Sequence, residues 1–142
     1  MSDINVIADE CYRLRVTDGP ARERATALAV ANHIGLGVRE LVKVAHANAT
    51  MKGFHDPPPS FGDLIALAHS ELSEALEAYR ENGLASGVSG NGKPEGVASE
   101  LADTVIRIAD MCGALGIDLE AAIVAKVAYN AGRPYRHGGK RL

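Results

Sequence analysis

The 142-residue chain predicts an all-α protein, and three observations carry that prediction. Apolar and charged residues recur every three or four positions through most of the chain, the spacing of amphipathic helices. Strand-like alternation is missing. Alanine is abundant, whereas aromatic residues make up 4% of the chain and tryptophan is absent, a composition that suits packed helices better than sheets. Apolar residues account for 46% of the chain, enough to argue against wholesale disorder and to give a single domain a real core.

Residues 3 to 16 read as a first helix, with Val6, Ile7, Cys11 and Leu14 near one face. "TDGP" (17–20) ends it, and Pro20 is placed to begin the next helix, where its missing N–H leaves no bond unmade. "ARERATALAVANHI" continues to "GLG" (35–37), a break or a kink before "VRELVKVAHANATM". "KGFHDPPPS" (52–60) is a loop, because three consecutive prolines cannot lie inside a helix. Ser60 is an N-cap for the helix that follows, with Asp63 three residues on, as in a capping box. "ENG" (81–83) closes that helix. The Gly- and Ser-rich "LASGVSGNGKPEG" (84–96) predicts a mobile surface loop. A further helix runs from about Val97 to Leu115 and stops at Gly116. Asp118 caps a last one over roughly 119–131, and "GRPYRHGGKRL" (132–142) is a basic tail. Residues 1–35 are expected to be a helical extension to one domain.

Charge and composition exclude several functions. A net charge of −3 argues against a dedicated nucleic-acid binder. Cys11 and Cys112 fit no CxxC or zinc spacing, which suits a reducing compartment. The five histidines form no HxxxH pair, so a histidine-based zinc site has no support from spacing. No apolar run approaches ~18 residues, and the N-terminus lacks a signal-peptide pattern. A cytoplasmic protein without membrane contact is the expectation.

The chemistry is concentrated in "HSELSEALEAYRE" (69–81). At about 100° per residue, Leu64, Ile65, Ala68, Leu72, Ala75, Leu76 and Tyr79 cover one arc of the helix, extended by Leu67 and Ala78. Glu71 projects inside that arc and Glu74 lies at its edge, while Glu77 and Glu81 point further away. A carboxylate on a burying face costs several kcal/mol unless it is paired or holds a metal. Glu71 therefore needs a partner. On the helix that begins at Val97, a stripe of Leu101, Val105, Ile108, Ala109 and Cys112 defines the expected core. Glu100 and Asp103 lie beside it as surface neighbours, with Arg107 and Asp110 on the same side as an ordinary polar face. Either acidic pair alone also reads as a solvated rim compensated by Arg80, Lys93 and Arg107. Together, on two helices joined by a connector of hairpin length, they converge. Four carboxylates would repel one another, and an oxygen-only cluster suits a hard divalent ion, Mg²⁺ by preference.

Glu71-Leu-Ser-Glu74 followed by Glu100-Leu-Ala-Asp103 resembles the metal signature of the all-α nucleoside-triphosphate pyrophosphohydrolases. That superfamily includes MazG-like proteins, dimeric dUTPases and phosphoribosyl-ATP pyrophosphohydrolase. "ELADTVIRIADMCGALGIDLEAAIVAKVAYNAGRPYRHGGKRL" is similar to the C-terminal half of MazG-like proteins, and "NATMKGFHD" (48–56) to the segment before their metal helices. The likeness covers about residues 40 to 142.

The resemblance implies Mg²⁺-dependent (Mn²⁺ as alternative) cleavage of a (d)NTP between its α and β phosphates, giving a monophosphate and pyrophosphate. Glu71, Glu74, Glu100 and Asp103 are then the metal and catalytic residues, with Glu71 or Glu74 as the alternative general base. Lys126, Asn130 and Arg133 are the expected phosphate ligands. Arg136, His137 and Lys140 either close over the polyphosphate or form a solvated terminus, and Tyr135 either stacks on a base or anchors the tail. Asn48, Lys52, Phe54 and His55 form a base or sugar pocket or a structural loop; His55 stands where many relatives carry tryptophan. His33, His46 and His69 read as surface or packing residues. The expected assembly is a helical bundle around an antiparallel hairpin, forming a four-helix core in a homodimer or homotetramer. A catalytically silent nucleotide-binding regulator, or a helical assembly module, is the alternative.

Overall fold

The capping signals act where the sequence places them. In the structure, a computed structural model describing residues 37–133, helix α1 spans Val38–Met51, α2 Phe61–Asn82, α3 Val97–Leu115 and α4 Leu119–Ala131. The Ser60 hydroxyl accepts the Asp63 N–H at 3.2 Å and the Asp63 carboxylate accepts the Ser60 N–H at 3.0 Å, so both partners of the box are engaged. The α3 helix stops at Gly116, whose N–H reaches back to Cys112. The Asp118 carboxylate accepts the Ala121 N–H at 3.0 Å to start α4. The described residues are thus mostly helical. The helices expected over 3–16 and 21–34, and the tail from residue 134, lie outside the described residues.

The connector 84–96 departs from the expected loop. Ser86–Val88 (β1) pairs antiparallel with Pro94–Gly96 (β2), Gly87 opposite Glu95. The tip is closed by the Ser89 N–H donating to the Lys93 carbonyl at 2.9 Å and the Ser89 hydroxyl to Asn91 Oδ1 at 2.6 Å. Strands of three residues with almost every position exposed bury no face, so no alternation marks them in the sequence. Gly96 joins β2 to α3 at φ 97°, and a Cβ there would lie 2.5 Å from the Ala85 carbonyl oxygen. Only glycine fits.

The order of contacts fixes the directions of the helices. Arg107 of α3 reaches Glu71 of α2, whereas Glu100, earlier on α3, lies beside the later Glu74. The two helices are therefore antiparallel. Arg39, at the start of α1, pairs with Glu120 (2.6 Å) and Asp118 (3.8 Å) beyond the end of α3, and His46 meets Asp110, so α1 also runs against α3. All four helices belong to one compact unit beginning at Val38.

The core follows part of the expected apolar arcs, since Leu64, Ala68 and Ala75 of α2 and Ala109 and Cys112 of α3 are buried, and departs from the rest. On α2 the buried stripe is Leu64, Ala68, Glu71 and Ala75; on α3 it is Glu100, Thr104, Ala109, Asp110, Met111 and Cys112. Leu72, Leu76 and Tyr79, expected inside, are 48–54% exposed, and Leu101 (45%) and Val105 (50%) are exposed as well. The α2–α3 seam uses small residues and closes on the acidic positions, which turns the larger apolar side chains outward. No residue of α4 is buried, and Val124, Val127 and Tyr129 are exposed on it.

Candidate metal centre

Glu71 occurs in a buried stripe because its helix faces α3 through Ala68 and Ala75, whose short side chains bring the backbones close. Glu71 is 7% exposed, and its carboxylate accepts a hydrogen bond from Arg107 Nε at 3.0 Å. Here is the partner the sequence demands. Arg107, expected on a solvated face, is instead half-buried between Glu71 and the ring of Phe54, 5.8 Å from the ring centroid. Arg80, the other compensating candidate on α2, pairs with Glu77 on the outer side of its own helix at 3.2 Å.

The antiparallel register brings Glu71, Glu74 and Glu100 together, each offering an oxygen within 4.8 Å of the others. Glu100 is buried and Glu74 exposed, so the cluster opens to solvent on one side. Burial pushes the Glu100 carboxyl above its ordinary value; Lys93 opposes that shift, and the charges of Glu74, Asp103 and Glu71 add to it. Glu100 therefore feels the other three predicted acids. Asp103 is half-buried and stands next to the three-oxygen group rather than in it.

The donor set fits a hard cation. Bonds of about 2.1 Å place opposite oxygens of one Mg²⁺ shell about 4.2 Å apart, so three oxygens within 4.8 Å need only small rotamer changes to share an ion. Arg107 already compensates part of the charge at Glu71 and would compete there with an ion.

Beside the cluster lies a cavity of about 230 Å³, walled by Asn48 and Ala45 of α1, Lys52 and Phe54 of the loop, Glu71, and Asp103, Arg107 and Asp110 of α3. Ligand pockets usually run to roughly 300–1,000 Å³, so this one admits a base or a sugar rather than an entire nucleotide. Of the five predicted base or sugar residues, Asn48, Lys52 and Phe54 line it. His55 instead sets its Nε2 2.8 Å from Asp110 Oδ1, and Tyr135 lies outside the described residues.

Asp110 is the residue that sequence reasoning missed. It is buried and also accepts from His46 Nδ1 at 2.9 Å, so one carboxylate oxygen joins α1, the loop and α3. Of the two readings of His46, surface or packing, the second fits, since it links α1 to α3, and two histidines do converge although no HxxxH spacing marks them. Asp110 follows Asp103 by two helical turns, a spacing that puts both on one face of α3. That periodicity was the available signal.

The remaining predicted residues stand elsewhere. Lys126 and Arg133 flank Tyr129, their cationic groups 5.3 and 5.8 Å from its ring centroid, and Asn130 is exposed beside them on α4. Among the described residues, neither cation forms an ion pair with the acidic cluster. Tyr135, Arg136, His137 and Lys140 lie outside the described residues. Cys112 is buried, which raises its thiol and leaves it inert as a nucleophile.

No protein-family model, no curated protein and no solved structure matches the chain. Among the described residues no helix is long and apolar enough to cross a membrane.

Proposed function

We propose that the chain is a Mg²⁺-dependent nucleoside-triphosphate pyrophosphohydrolase of the MazG-like type, cleaving a (d)NTP to a (d)NMP and pyrophosphate. The observation that carries this reading is the convergence of Glu71, Glu74 and Glu100, with Asp103 adjoining, at the edge of a cavity of base or sugar size. Mg²⁺, with Mn²⁺ as the alternative, supplies Lewis-acid polarisation of the phosphoanhydride when bound. Glu71, Glu74, Glu100 and Asp103 would hold it. Phe54 offers a face for stacking, and Asn48 an amide that both donates and accepts along a base edge. Glu74 is the exposed member of the cluster and the better placed to take a proton from an attacking water. Lys126, Asn130 and Arg133 are assigned to the polyphosphate.

A homo-oligomer, dimer or tetramer, belongs to this proposal. Exposed Leu72, Leu76 and Tyr79 on α2, together with the outward apolar residues of α4, supply faces for a bundle with a second copy. A cytoplasmic location follows from the nucleotide substrate.

One observation favours the second reading, a nucleotide-binding regulator without turnover: Arg107 already neutralises Glu71, as a purely structural pair would. Pyrophosphate release with Mg²⁺ across a panel of NTPs and dNTPs separates the two readings. Turnover of at least one nucleotide that disappears in Glu74→Ala and Asp103→Ala is the expected result. Binding of a non-hydrolysable analogue by calorimetry, without pyrophosphate release from any nucleotide, would leave the regulator.

A further inference from the structure

The His46–His55–Asp110 cluster has chemistry that the carboxylate centre lacks. Three elements contribute one residue each: α1, the 52–60 loop and α3. Their ligand-type atoms lie within 4.8 Å of one another, with His46 Nδ1 2.9 Å and His55 Nε2 2.8 Å from the same Asp110 oxygen. The two rings meet edge to face, with centroids 4.8 Å apart and an interplanar angle of 76°. Hence neither ring stacks on the other, and both direct a nitrogen to one point. The side chains of His55 and Asp110 are 14% and 9% exposed, and His46, at 34%, opens the cluster to solvent on one side. The His46 ring is held in place by an absent side chain: a Cβ on Gly113 would lie 2.5 Å from His46 Cβ and 2.8 Å from its Cγ.

We infer that His46, His55 and Asp110 form a second metal site, selective for a first-row transition ion and distinct from the acidic cluster. Two imidazoles and one carboxylate are the facial set that leaves open positions on a six-coordinate ion. With bonds of about 2.0–2.1 Å, neighbouring ligand atoms on such an ion lie about 2.9 Å apart. That edge coincides with the two nitrogen–oxygen separations here. Hard ions such as Mg²⁺ prefer all-oxygen shells, whereas imidazole suits Zn²⁺, Co²⁺, Ni²⁺ and Fe²⁺, so the two clusters sort ions by ligand type. Asp110 also walls the cavity, which places an ion at this site against whatever the cavity holds. The inference does not rest on the pyrophosphohydrolase reading.

Hydrogen bonding alone gives the same short distances in the absence of an ion, and the test must separate the two. The full chain carrying Glu74→Gln and Asp103→Asn, which disables the acidic cluster, is titrated with Co²⁺ in excess Mg²⁺. One equivalent binding with visible d–d absorption is expected, weakened at least about tenfold by His55→Ala or Asp110→Asn. The unsubstituted chain, labelled with ¹⁵N-histidine, supplies a readout that does not depend on how the variants fold. Zn²⁺ should shift two ring nitrogens, Nδ1 of His46 and Nε2 of His55, and remove their N–H signals. Retention of both N–H signals at saturating Zn²⁺, or Co²⁺ binding indifferent to both substitutions, would overturn the site and leave a hydrogen-bonded link.

Discussion

Two clusters of opposite chemistry border one cavity, the first through Glu71 and the second through Asp110. Glu71, Glu74 and Glu100 gather negative charge on the α2–α3 seam and are partly relieved by one arginine, whereas His46, His55 and Asp110 form a hydrogen-bonded set across α1, the loop and α3. In the first cluster burial and the neighbouring acids raise the Glu100 carboxyl. The second is satisfied as it stands. A site whose apo form carries uncompensated charge gains most from ligand binding, whereas a satisfied set gives rigidity first. Variants that unbalance one cluster and spare the other therefore show which of them supports function and which supports the fold.

The largest expected effect is on activity. Removing Glu74 or Asp103 should abolish pyrophosphate release while leaving the melting temperature close to the parent value, because neither side chain is buried. Next comes Arg107→Ala, which leaves Glu71 buried without its partner. Breaking a buried pair costs about 3–5 kcal/mol, and with the Arg107 side chain still 31% exposed the lower end applies, about 3 kcal/mol. If Glu71 is a metal ligand, Mg²⁺ should restore much of that loss. A melting curve indifferent to Mg²⁺ would make Arg107 and Glu71 a structural pair only.

Gly113→Ala strikes the other cluster. Alanine gains about 1 kcal/mol in helix propensity, but its Cβ would lie 2.5 Å from His46 Cβ and 2.8 Å from the ring at Cγ, and overpacking costs about 1–3 kcal/mol. A net loss of about 1 kcal/mol is expected in chemical denaturation. A gain instead would mean that the His46 ring sits loosely on α3. Ser60→Ala belongs at the same scale, about 1 kcal/mol, and reports on the start of α2 rather than on either cluster.

The clusters also differ in how far the sequence reveals them. Helix ends were legible because capping is local: Ser60 with Asp63, Gly116 and Asp118 each act within one turn. The acidic cluster was legible because its members recur at helical spacing on two helices and Glu71 violates the apolar arc. The exact buried stripe was not. The expected arcs held Leu72, Leu76 and Leu101 beside Ala68, Ala75 and Ala109, and of these only the alanines are buried, a choice that depends on how closely two backbones approach. The histidine cluster was hidden for a similar reason. His46 and His55 are separated by a helix end and a loop, and only the fold sets the distance from either to Asp110. The β1–β2 hairpin left no trace because it buries nothing.

The smallest effect is a pH dependence that distinguishes the acidic seam from the helix cap. Burial raises the Glu100 carboxyl above its ordinary 4.5, with added repulsion from Glu74, Asp103 and Glu71, so the folded chain holds that proton more tightly than the unfolded one. Stability from this group is then present below the ordinary value and declines as pH rises from there to the folded-state value. Asp63 behaves oppositely. Hydrogen bonds from Ser60 lower it from 3.8, so its contribution is present above that value and fades as pH falls through the folded-state one. Denaturation midpoints measured from pH 3 upward should therefore rise, flatten and then fall slightly. Glu100→Gln should remove only the upper decline, and Ser60→Ala only the lower rise. Mg²⁺ binds the ionised acid and should flatten the decline as well, since a cation reverses the preference that burial created. A decline equally steep with and without Mg²⁺ would place the ion, and with it the chemistry, somewhere other than Glu100.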